Sequence, residues 1–389
     1  MLFDLEIVTS PQAVGVRSSP VSAKPVEASS ASLPAAKVGY LLPWGTATAP
    51  AVAEALRAGI RVRTADEAFT QAGRRYPIGT AVVRTSENNQ DLAAKLGTIV
   101  ARHGAEAVAI DTSWVEEGIS LGSNKVVALK PPRVVLAWDL PTQSASAGWA
   151  RYTIERRFGQ PVVTIRTSTL RRADLTRYDV IVLPAGNYSD ALGEDGIGRL
   201  KEWVRGGGTL VTLGEASRWA TREKVALLDT TTELRDGKPD VEPTAEDKKK
   251  KTDEEPVQPF DLEQAIQPER EQPDAVPGAI LRVAIDTEHW LSAGLDEEIQ
   301  AVVEGRRIFT PIKLDKGRNV GVYAAKERLL AAGFAWENPK EQLPQKAFLL
   351  YQPMGQGHVI AFAEDPNYRA FVETTSLLFI NALLLGPAH

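Results

Sequence analysis

The chain has 389 residues, 43% hydrophobic and 24% charged, with a formal net charge of −5 and no cysteine. The length exceeds one ordinary domain of roughly 100–200 residues, and the balance is that of a globular protein able to bury a core without staples. The weak negative charge offers no footprint for nucleic acid or an anionic membrane, no apolar run approaches the ~18–20 residues of a membrane span, and the absence of cysteine excludes disulfides, thiolate metal sites and a cysteine nucleophile.

Residues 2–8 alternate like a strand, and residues 10–36 form a Ser/Pro/Ala-rich linker with no core of its own. The opening MLFDLEIVTSPQAV lacks the basic and apolar regions of a signal peptide. Residues 37–130 predict a small α/β domain. Its strands fall at 38–42, 60–65, 80–85 and 107–111, and its helices at 50–58 and 89–103, each helix stopped by a glycine (Gly59, Gly104). Residues 131–389 predict a second α/β domain, with strands at 133–138, 161–167, 179–186 and 209–213 and helices at 148–158 and 196–204. Continuous apolar strands alternating with helices indicate a doubly wound parallel sheet of flavodoxin-like type. Within it, residues 236–275 are charged and Pro-rich and read as a disordered, solvated insertion, with a short docking helix possible only at 260–266. Order returns near 280. A strand, polar turn and helix start occupy 358–371, and SLLFINALLL (376–385) is a buried closing helix.

Taken together, RVVLAW (133–138), SASAGWARYTIERRFGQPV (144–162), DVIVLPAGNY (179–188) and LKEWVRGGGTLVTLGEASRW (200–219) resemble the class I glutamine amidotransferase-like fold. With GYLLPWGTATAPAVAEALRAGIRV (39–62), TEHWLSAGLDEE (287–298) and GQGHVIAFAEDPNYRAF (355–371), they resemble the C-terminal region of bacterial carboxypeptidase-A-like zinc metallopeptidases. That resemblance implies a chain lacking its peptidase domain, of which residues 2–8 would be the last strand. It further implies zinc only in the missing domain, that domain as partner, and a secreted or periplasmic location. The activity expected of this chain is then a non-catalytic one, stabilising a peptidase or binding its substrate.

The residues themselves agree with a lack of catalysis. The one His-x-x-Glu match, His103 to Glu106, sits at a helix end, and no second histidine is spaced to complete a zinc site. At the turn after 209–213, where an α/β enzyme holds its nucleophile, the sequence is Gly214-Glu215-Ala216-Ser217. After the late strand it is Glu364-Asp365-Pro366-Asn367, with no histidine. No catalytic, metal or cofactor residue is assigned. Ser217 is expected to cap the following helix. Asn187, Tyr188, Glu215, Ser217, Asp365 and Asn367 fall at C-terminal strand ends, where parallel sheets bind ligands, and are the candidate cleft residues. Two alternatives stay open: a stand-alone binding module for a small polar or peptide ligand, and a hydrolase using Glu215 and Asp365 as paired carboxylates. Two such carboxylates predict a cleft that prefers a cationic or hydrogen-bond-donating ligand. The scattered tryptophans, among them Trp44, Trp219, Trp290 and Trp336, read as packing residues, with stacking on a sugar or peptide as the alternative.

Overall fold

The computed structural model describes residues 11, 12, 15, 32–241, 262–266 and 271–389. The strand expected at 2–8, most of the linker, and residues 242–261 and 267–270 of the expected insertion lie outside that set. The described ends of the insertion are built into the fold. Asp240 binds Arg218, Asp274 binds Arg235, and Leu262–Ala265 makes a single helical turn.

The first unit contains β1 (Gly39–Leu42), α1 (Thr48–Arg57), β2 (Arg63–Ala65), β3 (Phe69–Gln71), β4 (Arg74–Tyr76), β5 (Ala81–Arg84), α2 (Leu92–His103), β6 (Val108–Ile110), β7 (Glu117–Gly118) and β8 (Val126–Ala128). Five of the strands pair in the order β6-β1-β5-β2-β8, every contact antiparallel. The other three form a separate small sheet, β4-β3-β7. α1 is alanine-rich and buries Ala49, Ala51, Ala53 and Ala55, which lets it lie close against its neighbours. Gly104 follows α2 with φ 68°, the left-handed stop its position predicts. His103 beside it binds Glu54 Oε2 at 2.7 Å, and Glu106 binds Arg74. The His-x-x-Glu pair is thus split between two ion pairs, and no metal-ligating cluster occurs among the described residues.

The second unit begins with β9 (Val134–Trp138), α3 (Ser144–Tyr152), β10 (Val162–Arg166), β11 (Val180–Leu183), α4 (Ser189–Arg205), β12 (Thr209–Leu213) and α5 (Glu215–Ala220). α4 starts well before the predicted 196, and Gly193 kinks it at φ 61°, ψ 177°. Then follow β13 (Val276–Ile285), β14 (Glu298–Gly305), β15 (Arg318–Tyr323), β16 (Leu330–Gly333), β17 (Ala347–Met354), β18 (Gly357–Phe362) and α6 (Glu373–Leu384). All of these strands share one sheet, β10-β9-β11-β12-β18-β17-β15-β13-β14, with β16 alongside β13. The first five in that order pair in parallel, and the rest extend the sheet antiparallel. The fold is therefore α/β, as expected, with an antiparallel half that sequence reading did not place.

The inner parallel strands β9, β11, β12 and β18 are mostly apolar because both faces are covered, whereas the edge strand β10 is largely exposed. Val134, Leu136, Val211, Leu213, Ile360 and Phe362 face one core, shared with α6 and with α1 and α2 of the first unit. Their alternates Val135, Ala137, Leu210, Val359 and Ala361 face the other, with Trp219 and the residues of α4. In the first core Asn381 is completely buried on α6. Its Oδ1 accepts the Trp44 indole N–H at 2.7 Å, and its Nδ2 donates to Leu291 O and Ala293 O, both at 2.9 Å. One amide thus fastens both units to the closing helix.

Three of the chain's four histidines meet around Trp290, at the N-terminal end of the parallel strands. His389 stacks on Trp290 at 4.5 Å and binds Asp66 of the first unit at 2.9 Å. His358 binds Thr209 Oγ1 at 3.2 Å, while its Nδ1 is buried without a partner. His289 packs on Tyr351 at 4.7 Å. Burial pushes His289 down to about 4 and His358 down to about 3. Asp286 acts against the His289 shift, whereas Arg318 and the neighbouring histidines add to the shifts.

Two outcomes follow from this packing. Asn381→Leu orphans an indole N–H and two carbonyls, each worth about 1–3 kcal/mol when buried unpaired. Urea unfolding should therefore show a loss of at least about 3 kcal/mol, and a loss below about 1 would show that Asn381 does not hold the units together. For His289 and His358, the folded pKa values lie below the unfolded value of 6.5, so the unfolded chain takes up protons first as pH falls. Their contribution is complete above about 6.5 and is lost on acidification toward 4. The slope of stability against pH over that window should be shallower in His358→Gln than in the wild-type chain; identical slopes would exclude His358 from the acid response.

Candidate functional site

β12 runs into α5 through Gly214, whose φ is 52° and ψ −112°. That backbone is strained for any residue with a side chain and open to glycine. It is the strand–turn–helix geometry in which α/β enzymes raise a nucleophile. Here the raised position carries only hydrogen. A Cβ placed there would lie 3.8 Å from Ala185 Cβ and 3.8 Å from Arg307 Cζ, so the elbow tip faces a guanidinium.

Arg307 follows β14. It folds back across Gly305, which has φ 109° and where a Cβ would lie 3.1 Å from the Arg307 Nη1. Its Nε donates to Ala363 O at 3.0 Å, and its Nη2 donates to Glu304 O at 2.7 Å and Glu364 Oε2 at 2.5 Å. Burial pushes the Glu364 carboxyl up to about 7, although Arg307 opposes the shift. Glu364 Oε1 and the Tyr323 hydroxyl are buried nearby without hydrogen bonds. Beyond this pair opens a cleft of about 480 Å³ whose lining includes Glu215, Arg218, Glu233, Gln272, Arg306 and Arg307. Arg218 spans Glu215 at 3.1 Å and Asp240 at 2.5 Å. Glu233 is held by Lys346 at 2.6 Å and Thr310 at 3.0 Å. The exposed Arg306 has no ion pair among the described residues.

The six residues proposed from sequence are distributed differently. Glu215 alone lines this cleft. Asn187 is exposed and accepts the Ser189 N–H at 3.1 Å. Tyr188 is a core residue. Its hydroxyl donates to Pro184 O at 2.8 Å and meets Thr142 Oγ1 at 2.9 Å, and its ring packs edge-on against Trp219. Asp365 turns to its own loop, accepting the Asn367 N–H at 2.9 Å, and burial raises it to about 6. Asn367 is buried with both amide atoms unpaired. Glu215 goes to Arg218, Asp365 to its own loop, and Arg307 stands at the elbow. Ser217 does not cap a helix, because α5 already begins at Glu215. Its buried hydroxyl reaches Phe362 O at 2.7 Å, Thr212 O at 3.0 Å and Thr212 Oγ1 at 2.9 Å, fastening β12 to β18. His358 lies at the far end of β12, opposite Thr209, and cannot serve Ser217 as a base.

No family model and no curated protein matches the chain. Among solved structures it is similar to a ThuA-like protein from Parabacteroides merdae ATCC 43184, at 11% identity and TM-score 0.42, over 66% of this chain and 90% of that one. It is likewise similar to PurLQS from Thermotoga maritima, at 11% identity and TM-score 0.39, over 65% of this chain and 97% of that one. A beta-galactosidase from Bacillus circulans sp. alkalophilus matches at 11% identity and TM-score 0.36, over 66% of this chain and 32% of that one. These neighbours stand where a carboxypeptidase was expected, and that expectation is corrected: nothing matched supports it. The absent peptidase domain, its zinc and a secreted location rested on that resemblance alone. No helix of the described residues is long and apolar enough to cross a membrane.

Ser217→Ala should cost about 1–3 kcal/mol, as expected for a buried hydroxyl whose loss leaves Thr212 underbonded. Denaturant unfolding measures this, and a change under about 0.5 kcal/mol would remove Ser217 from the β12–β18 fastening.

Proposed function

We propose that the chain is a ligand-binding module without hydrolytic activity of its own, and that its cleft takes a small polar ligand bearing a negative charge. The observation that carries this reading is the bare elbow: at Gly214 the raised position has no nucleophile, and a guanidinium occupies the space before it. The sequence alone pointed to a cationic or hydrogen-bond-donating ligand, because two carboxylates in one cleft repel unless a cation or a donor sits between them. The protein supplies its own cations. Glu215, Glu233 and Glu364 are each engaged by Arg218, Lys346 or Arg307, which leaves Arg306, among the described residues, as the charge available to a ligand. A carboxylate or phosphate matches a guanidinium through paired, charge-assisted hydrogen bonds.

Titration calorimetry of the purified chain with citrate, inorganic phosphate and spermidine tests the reading. Either anion should bind, weakening about tenfold or more in Arg306→Gln, while spermidine should not. Preference for spermidine, or anion binding indifferent to Arg306, would overturn the anionic cleft. Labelling of Ser217 by a fluorophosphonate in the folded chain would overturn the absence of catalysis.

A further inference from the structure

Beside the elbow cleft lies a second cleft of about 630 Å³, and the two share Gln272 and Arg306. Each volume falls within the roughly 300–1,000 Å³ usual for small-molecule sites. The second is lined at its other side by Trp336, which is 54% exposed. Trp44, Trp219 and Trp290 are buried, whereas Trp336 is open and lines a cleft. Its neighbour Phe334, 51% exposed, meets it edge-on at 4.8 Å and 88°, and Lys340 Nζ lies 5.9 Å from the Phe334 ring. An edge-on partner braces the indole and leaves a face for a third ring. Arg235, the other cation lining this cleft, is occupied by Glu271 at 3.3 Å and Asp274 at 2.8 Å. The cleft therefore offers one guanidinium without an ion pair among the described residues and one braced aromatic face.

On that basis we infer that the ligand of the joined clefts is a nucleoside phosphate, its phosphate on Arg306 and its base against Trp336. This rests on the anionic reading of the elbow cleft and adds the ring. A base fits because every base has a face for stacking, which needs no hydrogen-bond code. A phosphate fits because the guanidinium is a fork of donors that stays charged at any physiological pH.

Titration calorimetry with adenosine monophosphate, adenosine and inorganic phosphate tests the inference, using the full chain and its Trp336→Ala and Arg306→Gln variants. Adenosine monophosphate should bind about tenfold or more tightly than phosphate and quench tryptophan fluorescence. Trp336→Ala should erase that advantage and leave phosphate binding unchanged. Arg306→Gln should weaken both anions. Both replaced residues are exposed, and a circular dichroism spectrum matching wild type keeps any loss attributable to the site. Phosphate binding through Arg306 without a nucleotide advantage, or an advantage that survives Trp336→Ala, overturns the nucleotide and leaves the anionic cleft standing. Binding of neither anion, or equal binding of adenosine and its phosphate, overturns both.

Discussion

The pairing of β12 with β18 is the contact on which the rest of the structure depends. It joins Thr209–Leu213 to His358–Phe362 in parallel register, and it is where the parallel half of the sheet meets the antiparallel half. Its two ends have different characters. At the C-terminal end the Phe362 carbonyl receives both the Gly214 N–H and the Ser217 hydroxyl, which fixes the elbow and sets Arg307 before it. At the N-terminal end His358 and Thr209 hold the aromatic and histidine cluster. Five residues at about 3.3 Å each separate the two environments by roughly 16 Å.

Burial acts on both ends through the same preference for the uncharged form. At one end it lowers His289 and His358, and at the other it raises Glu364 and Asp365. The consequences for stability have opposite signs in the mildly acid range. The histidines favour folding less as pH falls. The two carboxyls favour it less as pH rises through their folded values of about 7 and 6. A chain of charge −5 presents an open guanidinium because its acidic side chains at the cleft are already matched with basic ones.

Much of the frame was legible because parallel strands covered on both faces leave unbroken apolar runs. VVLAW, VIVL and TLVTL are each visible at sight, and so is the Gly-bounded helix ending at His103. β13 to β17 were not placed: β13 and β14 mix buried with half-exposed residues instead of forming an unbroken apolar run, and β15 and β17 carry polar residues within them. Losing β14 meant losing Arg306 and Arg307, which gain significance only once that strand delivers them to the elbow. Strand ends told which residues were near the site but not where their side chains turned. Tyr188 and Ser217 are at such ends and point into the core, whereas Glu215 is at one and points out. Glu364 stood beside the residues singled out and was passed over because its partner lies 57 positions away.

The Asn381 amide has a consequence for the order in which the protein can be made. Trp44 and Asn381 are 337 positions apart, so the first unit's indole has no partner until the last helix is synthesised. The elbow obeys a similar delay, since Phe362 is 145 positions beyond Ser217. Local sheets and helices of the first unit can form early, but the core they share with α6 stays open until Glu373–Leu384 has been synthesised. Closing so long a loop adds little free-energy cost, about 0.6 kcal/mol per doubling of length, yet long-range pairing slows the search. The nascent chain therefore carries these apolar faces exposed until residues 373–384 have been made, an interval in which they are open to aggregation.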